Sequence, residues 1–481
     1  MRADLTASVL YAPLRSRGYG SSASGWGIKL AGLLVPFALA GWAKDIKLIT
    51  LDPGHFHAAL FQREMLPGVS PTVDVYAPLG PDLTAHLNRV AQFNLRRDDP
   101  THWQLEIHAG PDPLKRLLAE RRGNVVVLSG NNREKIDRIE AMVRARLNVL
   151  ADKPWIIEPE TFPKLQAALD TADRRRVIAY DAMTERFEVS CQLQRELVND
   201  RDVFGEPLQG TPDEPAVRIE SMHYIMKEVA GVPNLRPVWF FDISQQGEGL
   251  TDVGTHLIER AQWTLFPETA IDYRRDIAVL VGTRWPTVLK RAQFQRVTGA
   301  AEFPDFLAGA LKDDQLDYFC NNSVTYTLRG IHVKAGVRWE FEAAGGSKDS
   351  VLAVFRGSKS RIEARQGEAE RYRPELFVIP TSHNGRAAVR DALRLRVEAL
   401  QKMYPGVALE EQAGGFHVVI PDALRVSHEA HFALVCRRFL GYVRDPKSLP
   451  AWEKPNMLAK YYVTTKGIEL ARKTADKPST R

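Results

Sequence analysis

Apolar and polar positions follow two rhythms along the chain, and the change falls near residue 184. Between Lys44 and about Tyr180, short apolar runs alternate with amphipathic stretches. "IKLITL", "TVDVYA", "WQLEIHAG", "NVVVLSG", "NVLADKP" and "RVIAYDAM" read as strands. "HAALFQREML", "DLTAHLNRVAQFN", "DPLKRLLAERR", "REKIDRIEAMVRARL" and "TFPKLQAALDTADRR" between them read as helices. The run "NVVVLSG" is apolar at successive positions, as a strand covered on both faces requires. Alternation at this spacing predicts βαβ units and a doubly wound parallel sheet of Rossmann type. After residue 184, "PAVRIESMHYI", "VTYTLRGIHV", "VRWEFEAA", "SVLAVFRG" and "SRIEARQG" read as strands joined by hairpins, with "GGSKDS" (345–350) as one tip. That region predicts an α+β domain with an open, mainly antiparallel sheet. The last hundred residues read as helical, with "SHEAHFALVCRRFLGYV" and "PNMLAKYYVTTKGIELARK" the clearest segments.

The N-terminus changes this picture. Lys29 precedes "LAGLLVPFALAGWA", shorter than the roughly 20 residues of a membrane span but suited to the core of a secretory leader. "ALA" at 38–40 and Ala43 offer cleavage positions. The expected divisions are a leader over 1–43 with a long polar start, a dinucleotide-binding domain over 44–183, and a C-terminal domain over 184–481. The expectation is export, to the periplasm, with an uncleaved membrane anchor as the alternative.

Composition narrows the classes. The chain has 481 residues, 44% hydrophobic and 26% charged, with a net charge of +6. Basic residues are interleaved with acids, so no nucleic-acid footprint is expected. Cys191, Cys320 and Cys436 are far apart, without metal-ligand spacing; buried thiols are expected, and no metal.

Ligands of open α/β sheets bind beyond the carboxyl ends of the strands, so the chemistry is sought in the loops 52–57, 76–82, 129–132 and 151–154. In "ADKPWIIEP", Lys153 ends a strand ahead of Pro154 and points to the crevice, on a backbone that the proline restricts. In "GEGLTDVGTHLIERAQW", Asp252 and His256 stand at i, i+4, which on a helix would put carboxylate and imidazole on one face. Such a pair suits a general base near neutral pH.

A strand–loop–helix start at residue 47, D-K-P about 100 residues later and D-x-G-x-H about 100 after that resemble the glucose–fructose oxidoreductase/inositol dehydrogenase (Gfo/Idh/MocA) family. "YDAMTERFEV", "SHEAHFA" and "WEKPNMLAKYY" look like a less-studied branch with its own oxidoreductase C-terminal domain. The resemblance covers roughly residues 45–475. It implies a nicotinamide cofactor, NAD or NADP, and a carbohydrate substrate; if the protein is exported, where soluble cofactor is scarce, the cofactor would have to be held tightly. It also implies oligomers formed through the open sheet face. Lys153, Asp252 and His256 would be catalytic: His256 taking a hydroxyl proton, Asp252 orienting the imidazole, Lys153 stabilising charge on the oxygen. Gly54, His55, Phe56, His57, Ser129, Asn131, Asn132 and Lys153 would hold the cofactor. Arg186, His223 and Tyr224, with Glu185 and Lys227, are the candidate substrate contacts.

The first turn departs from that pattern. The G-x-G-x-x-G positions hold Asp52, Gly54 and His57. Asp52 would repel phosphate unless it points away. The end of the second strand offers Tyr76, Ala77 and Pro78 where an acid should meet the ribose; Asp74 comes too early and Asp82 late. The favoured expectation is an NAD(P)-dependent oxidoreductase acting on a sugar, glycoside or polyol. The alternatives are an NAD-dependent glycoside hydrolase or lyase with transient oxidation, and a non-catalytic sugar-binding protein on a degenerate scaffold.

Overall fold

The structure is a computed structural model that describes residues 46–229, 232–343 and 348–475. The expected leader and part of the "GGSKDS" tip lie outside the described residues. All six strands expected in the first region form: β1 (Leu48–Leu51), β2 (Thr72–Ala77), β3 (Gln104–Ala109), β4 (Val125–Leu128), β5 (Asn148–Ala151) and β6 (Ala179–Asp181). They make one parallel sheet in the order β3-β2-β1-β4-β5-β6. Every residue of β1 and β4 is buried, in keeping with runs that are apolar apart from Thr50. The strand order reverses between β1 and β4, so a crevice is expected at their carboxyl ends.

The first helix is shorter than its apolar pattern suggests. It spans only His57–Leu60. The N–H groups of Gln62 and Arg63 turn to the carbonyls of Ala59 and Leu60, three residues back, and end it.

The second sheet has ten strands. Its main path runs through Ile277–Lys290, Gln315–Leu328, Ile331–Glu342, Val217–Met226, Ser350–Arg356, Ser360–Gln366, Glu375–Pro380, Gly415–Val419 and Ala408–Gln412. Neighbours along that path are antiparallel except Ile331–Glu342 with Val217–Met226. The helix Gly254–Leu265 supplies Leu257, Ile258 and Ala261 to the core of this sheet. The helical expectation for the last hundred residues needs one correction: Ala408–Gln412 and Gly415–Val419 form a hairpin at the edge of this sheet. Val407, Phe416 and Val418 bury themselves in the same core, which favours the strand.

The two C-terminal helices return to the parallel sheet. Phe432, Val435 and Phe439 of His428–Arg444 join the core under one face, with Leu48, Val73 and Val125. Met457, Leu458 and Tyr461 of Glu453–Ala475 join the core under the other, with Ile49, Val126 and Val149. Tyr461 Oη donates to Asp181 and accepts the Trp155 N–H, pinning the helix to the ends of β5 and β6. Cys191, Cys320 and Cys436 are buried free thiols. Among the described residues no helix is long and apolar enough to cross a membrane.

Candidate active site

A cavity of about 1060 Å³ lies beyond the carboxyl ends of the parallel strands, walled on its other side by the large sheet. His55, Phe56, His57 and Lys153 enter it from the strand-end loops. Asp252 and His256 enter from the start of the helix Gly254–Leu265. His223, Tyr224 and Lys227 enter from Val217–Met226 and the residue after it.

Lys153 and Asp252, 99 residues apart, form a buried ion pair through Nζ and Oδ1. Burial works to raise the Asp252 carboxyl, but the Lys153 ammonium outweighs it and holds it below its ordinary value. His256 lines the same cavity. Burial and then the Lys153 charge hold its imidazole well below the ordinary range, so it is neutral at neutral pH. Its Nδ1 is enclosed and has no hydrogen-bond partner. The i, i+4 reading is corrected here. The helix begins at Gly254, so Asp252 lies in the turn ahead of it and does not share a helical face with His256. Asp252 positions Lys153 instead of the imidazole.

The residue before Lys153 is turned the other way. Asp152 is buried, and its Oδ1 accepts Lys135 Nζ at 2.6 Å. Its Oδ2 meets His55 Nδ1 at 2.9 Å, His57 Nδ1 at 3.1 Å and Ser129 Oγ at 2.8 Å. Burial holds both imidazoles below their ordinary values, so they are neutral. A carboxylate only accepts, hence each Nδ1 carries the proton. His55, His57 and Asp152 place metal-ligand atoms within 4.8 Å of one another. They do not fit a divalent cation well. The ligand atoms are bonded to each other, Lys135 holds the carboxylate, and the Lys153 charge already acts on both histidines.

A dinucleotide on such a sheet lies across the crevice, with its pyrophosphate over the first turn. Asp52 takes the left-handed conformation that the first glycine serves, at φ 48°. Its carboxylate points away, onto Arg138. The donors of the turn are engaged, however. Gly54 N–H bonds Asp52 O at 2.8 Å, and His55 N–H bonds Ser129 O at 2.9 Å, tying the two lips of the crevice together. Gly54 is capped: a Cβ there would lie 3.0 Å from Asp82 Oδ2 and 3.3 Å from Trp239. Trp239 Nε1 donates to that same carboxylate at 3.1 Å. Asn131 Nδ2 donates to Gln245 Oε1 at 2.6 Å, and Asn132 Nδ2 to Gln246 O at 2.8 Å. Of the expected cofactor residues, His55, Phe56, His57 and Lys153 therefore line the cavity, while Gly54, Ser129, Asn131 and Asn132 face protein partners. A closed crevice with a carboxylate over Gly54 does not fit a pyrophosphate.

Among the expected substrate contacts, His223, Tyr224, Lys227 and Glu185 line the cavity. Arg186 does not. It is 5% exposed, bonded to Glu259 and Glu453 and packed on Trp452, 4.9 Å from the ring centroid. Lys460 completes this network between Glu259 and Asp181. Burial alone would raise the Glu259 carboxyl, but Arg186 and Lys460 hold it at about 2. Arg186 is thus a structural ion-pair residue. Sequence reasoning missed Arg236, Trp339 and Asp349, which also line the cavity. No local motif marks them.

Residues 193–472 match the family model described as "Putative oxidoreductase C terminal domain". No curated protein matches the chain. Among solved structures, the chain is similar to a "putative oxidoreductase" from Parabacteroides merdae ATCC 43184, with 43% identity and a TM-score of 0.87. That similarity covers 89% of this chain and 98% of the other. A levoglucosan dehydrogenase in complex with NADH shares the fold at 13% identity and a TM-score of 0.55, over 89% of this chain and 97% of that one. A 3-ketoreductase from Actinomadura kijaniata, in complex with NADP and TDP-benzene, does so at 14% identity and 0.51, over 86% and 94%.

Proposed function

Because the chain belongs to the Gfo/Idh/MocA oxidoreductases, in the branch defined by its C-terminal domain, we propose that it oxidises or reduces a hydroxyl- or carbonyl-bearing carbon of a sugar, glycoside or polyol. The observation that carries this reading is the buried Lys153–Asp252 pair opening into the same cavity as a neutral His256. His256 takes the hydroxyl proton. The Lys153 ammonium, fixed by Asp252, hydrogen-bonds the same oxygen and stabilises its developing negative charge. NAD or NADP is the redox partner this reading names, supported by the coenzymes in the two more distant structures. The closed crevice argues against a dinucleotide lying over residues 52–57 as the structure stands, so the steps assigned to the chain are those of its own side chains. A second reading uses the same side chains and coenzyme, an NAD-dependent glycoside hydrolase or lyase whose transient oxidation of the sugar is reversed within each turnover, with no net redox change.

Mass spectrometry of small molecules released on denaturing the purified protein, followed by titration with NAD(P)(H), tests the coenzyme that both readings need, and analysis of the products separates the two. Recovered or titrated coenzyme with net oxidation or reduction of a sugar supports the oxidoreductase reading. Bound coenzyme with glycoside cleavage and no net redox change overturns it in favour of the second, and an empty protein that binds none overturns both. Export belongs to the same proposal. Mass spectrometry of the mature N-terminus tests it, with an uncleaved chain in the cytoplasm as the contrary result.

A further inference from the structure

Arg236 lies in "NLRPVW" and is 5% exposed. Its Nε reaches Ile225 O at 3.3 Å, and its backbone N–H bonds Val297 O at 2.8 Å, so the stem is fixed. Its Cζ sits 4.7 Å from the Phe240 centroid and 5.6 Å from that of Trp339. Those rings attract a cation but supply no counter-charge. Two carboxylates act on the guanidinium, Asp252 and Asp349. Each is already held. Asp252 pairs with Lys153. Asp349 Oδ2 meets Lys227 Nζ at 2.5 Å and His223 Nδ1 at 2.9 Å. Among the described residues of this corner, the three cations Lys153, Lys227 and Arg236 thus meet two carboxylates. Burial pushes the Arg236 guanidinium down, and those two carboxylates only partly oppose it. Arginine cannot shed its proton in a protein, so the surplus charge stays. A buried charge without a partner is costly. Of the three, Arg236 is the one with no carboxylate in ion-pair contact, and it lines the cavity.

We infer that Arg236, flanked by Lys227 and His223 around Trp339, is a subsite for a carboxylate on the substrate, so that sugar acids are the ligand class. Arg236 offers one cation without an ion-pair partner, which the single charge of a carboxylate matches. The guanidinium edge takes a carboxylate through two parallel hydrogen bonds. The inference rests on the carbohydrate reading only for the rest of the ligand.

The test is calorimetric titration of the full chain with D-glucuronate, D-glucose, D-glucose 6-phosphate and tartrate. It is repeated on Arg236→Gln and on Arg236→Lys, which keeps the charge, with thermal melts to confirm folding. The expected result is glucuronate at least tenfold tighter than glucose, with that preference lost in Arg236→Gln and reduced in Arg236→Lys. Tartrate binding that depends on Arg236, with no sugar bound, supports the subsite and overturns the carbohydrate reading. Equal binding of glucuronate and glucose overturns the subsite and leaves that reading intact. A preference for the phosphate ester, a preference that survives Arg236→Gln, or no binding by any probe also overturns the subsite.

Discussion

The crevice between β1 and β4 and the cavity beside β5 are neighbours, and they treat charge in opposite ways. In the crevice, Asp152 gathers Lys135, His55, His57 and Ser129 around one carboxylate, and its contacts close the gap. In the cavity, Lys153 has one carboxylate partner, Asp252, and faces open volume beside a neutral His256. Consecutive residues therefore belong to different tasks, one structural and one chemical. A buried polar network with every member satisfied rigidifies a fold. A buried group left partly satisfied has capacity for a ligand, which is how the cavity differs.

The contrast can be broken most severely at Asp152. Asp152→Ala leaves Lys135 as an unpaired buried cation, and a loss of about 3–5 kcal/mol in a denaturant melt is expected. A loss under 1 kcal/mol would mean that the crevice is not held by this residue. Acid sharpens the comparison at a buried imidazole outside the Asp152 network. His86, on the helix Pro81–Leu95 that also carries Asp82, is buried without a partner, and burial lowers it to about 4. The unfolded chain binds that proton near 6.5, so the stability present above 6.5 is lost as the pH falls to about 4. The loss amounts to about 3 kcal/mol. His86→Gln should flatten the stability profile over that window. Lys153→Met should lower the turnover of the folded protein about 100-fold, and it also costs stability, because Asp252 becomes a buried carboxylate without its ion-pair partner. Unchanged turnover would remove Lys153 from the chemistry. The smallest effect is expected at the rim. Trp239→Phe removes one hydrogen bond to Asp82, costs about 1 kcal/mol, and should raise any measured NAD(P) affinity by loosening the closure. An affinity that falls would show Trp239 to be a coenzyme contact.

Much of the parallel domain was legible because its information is local. β1 through β6 follow from apolar runs spaced by amphipathic helices. The open sheet followed from strand-like runs joined by hairpin turns after residue 184. The D-K-P and D-x-G-x-H segments led to Lys153, Asp252 and His256, which the fold brings to one cavity. Other features had no local signal. "NLRPVW" gives no sign that Arg236 lies against two aromatic rings. "MTERFEV" gives none that Arg186 is turned away from the cavity, onto Glu259 and Glu453.

The sequence by itself determined the strand order's raw material, the buried thiols and the three polar residues that meet in the cavity. Periodicity and short motifs express backbone preference and burial over a few residues. Tertiary structure alone decided which way Asp152 turned, what Asp252 paired with, and whether the crevice stayed open. Asn131 and Asn132 meet Gln245 and Gln246 across 114 residues, and Trp239 meets Asp82 across 157. Such contacts depend on how the second sheet and the returning C-terminal helices pack, and electrostatics inside a protein is set by those distances.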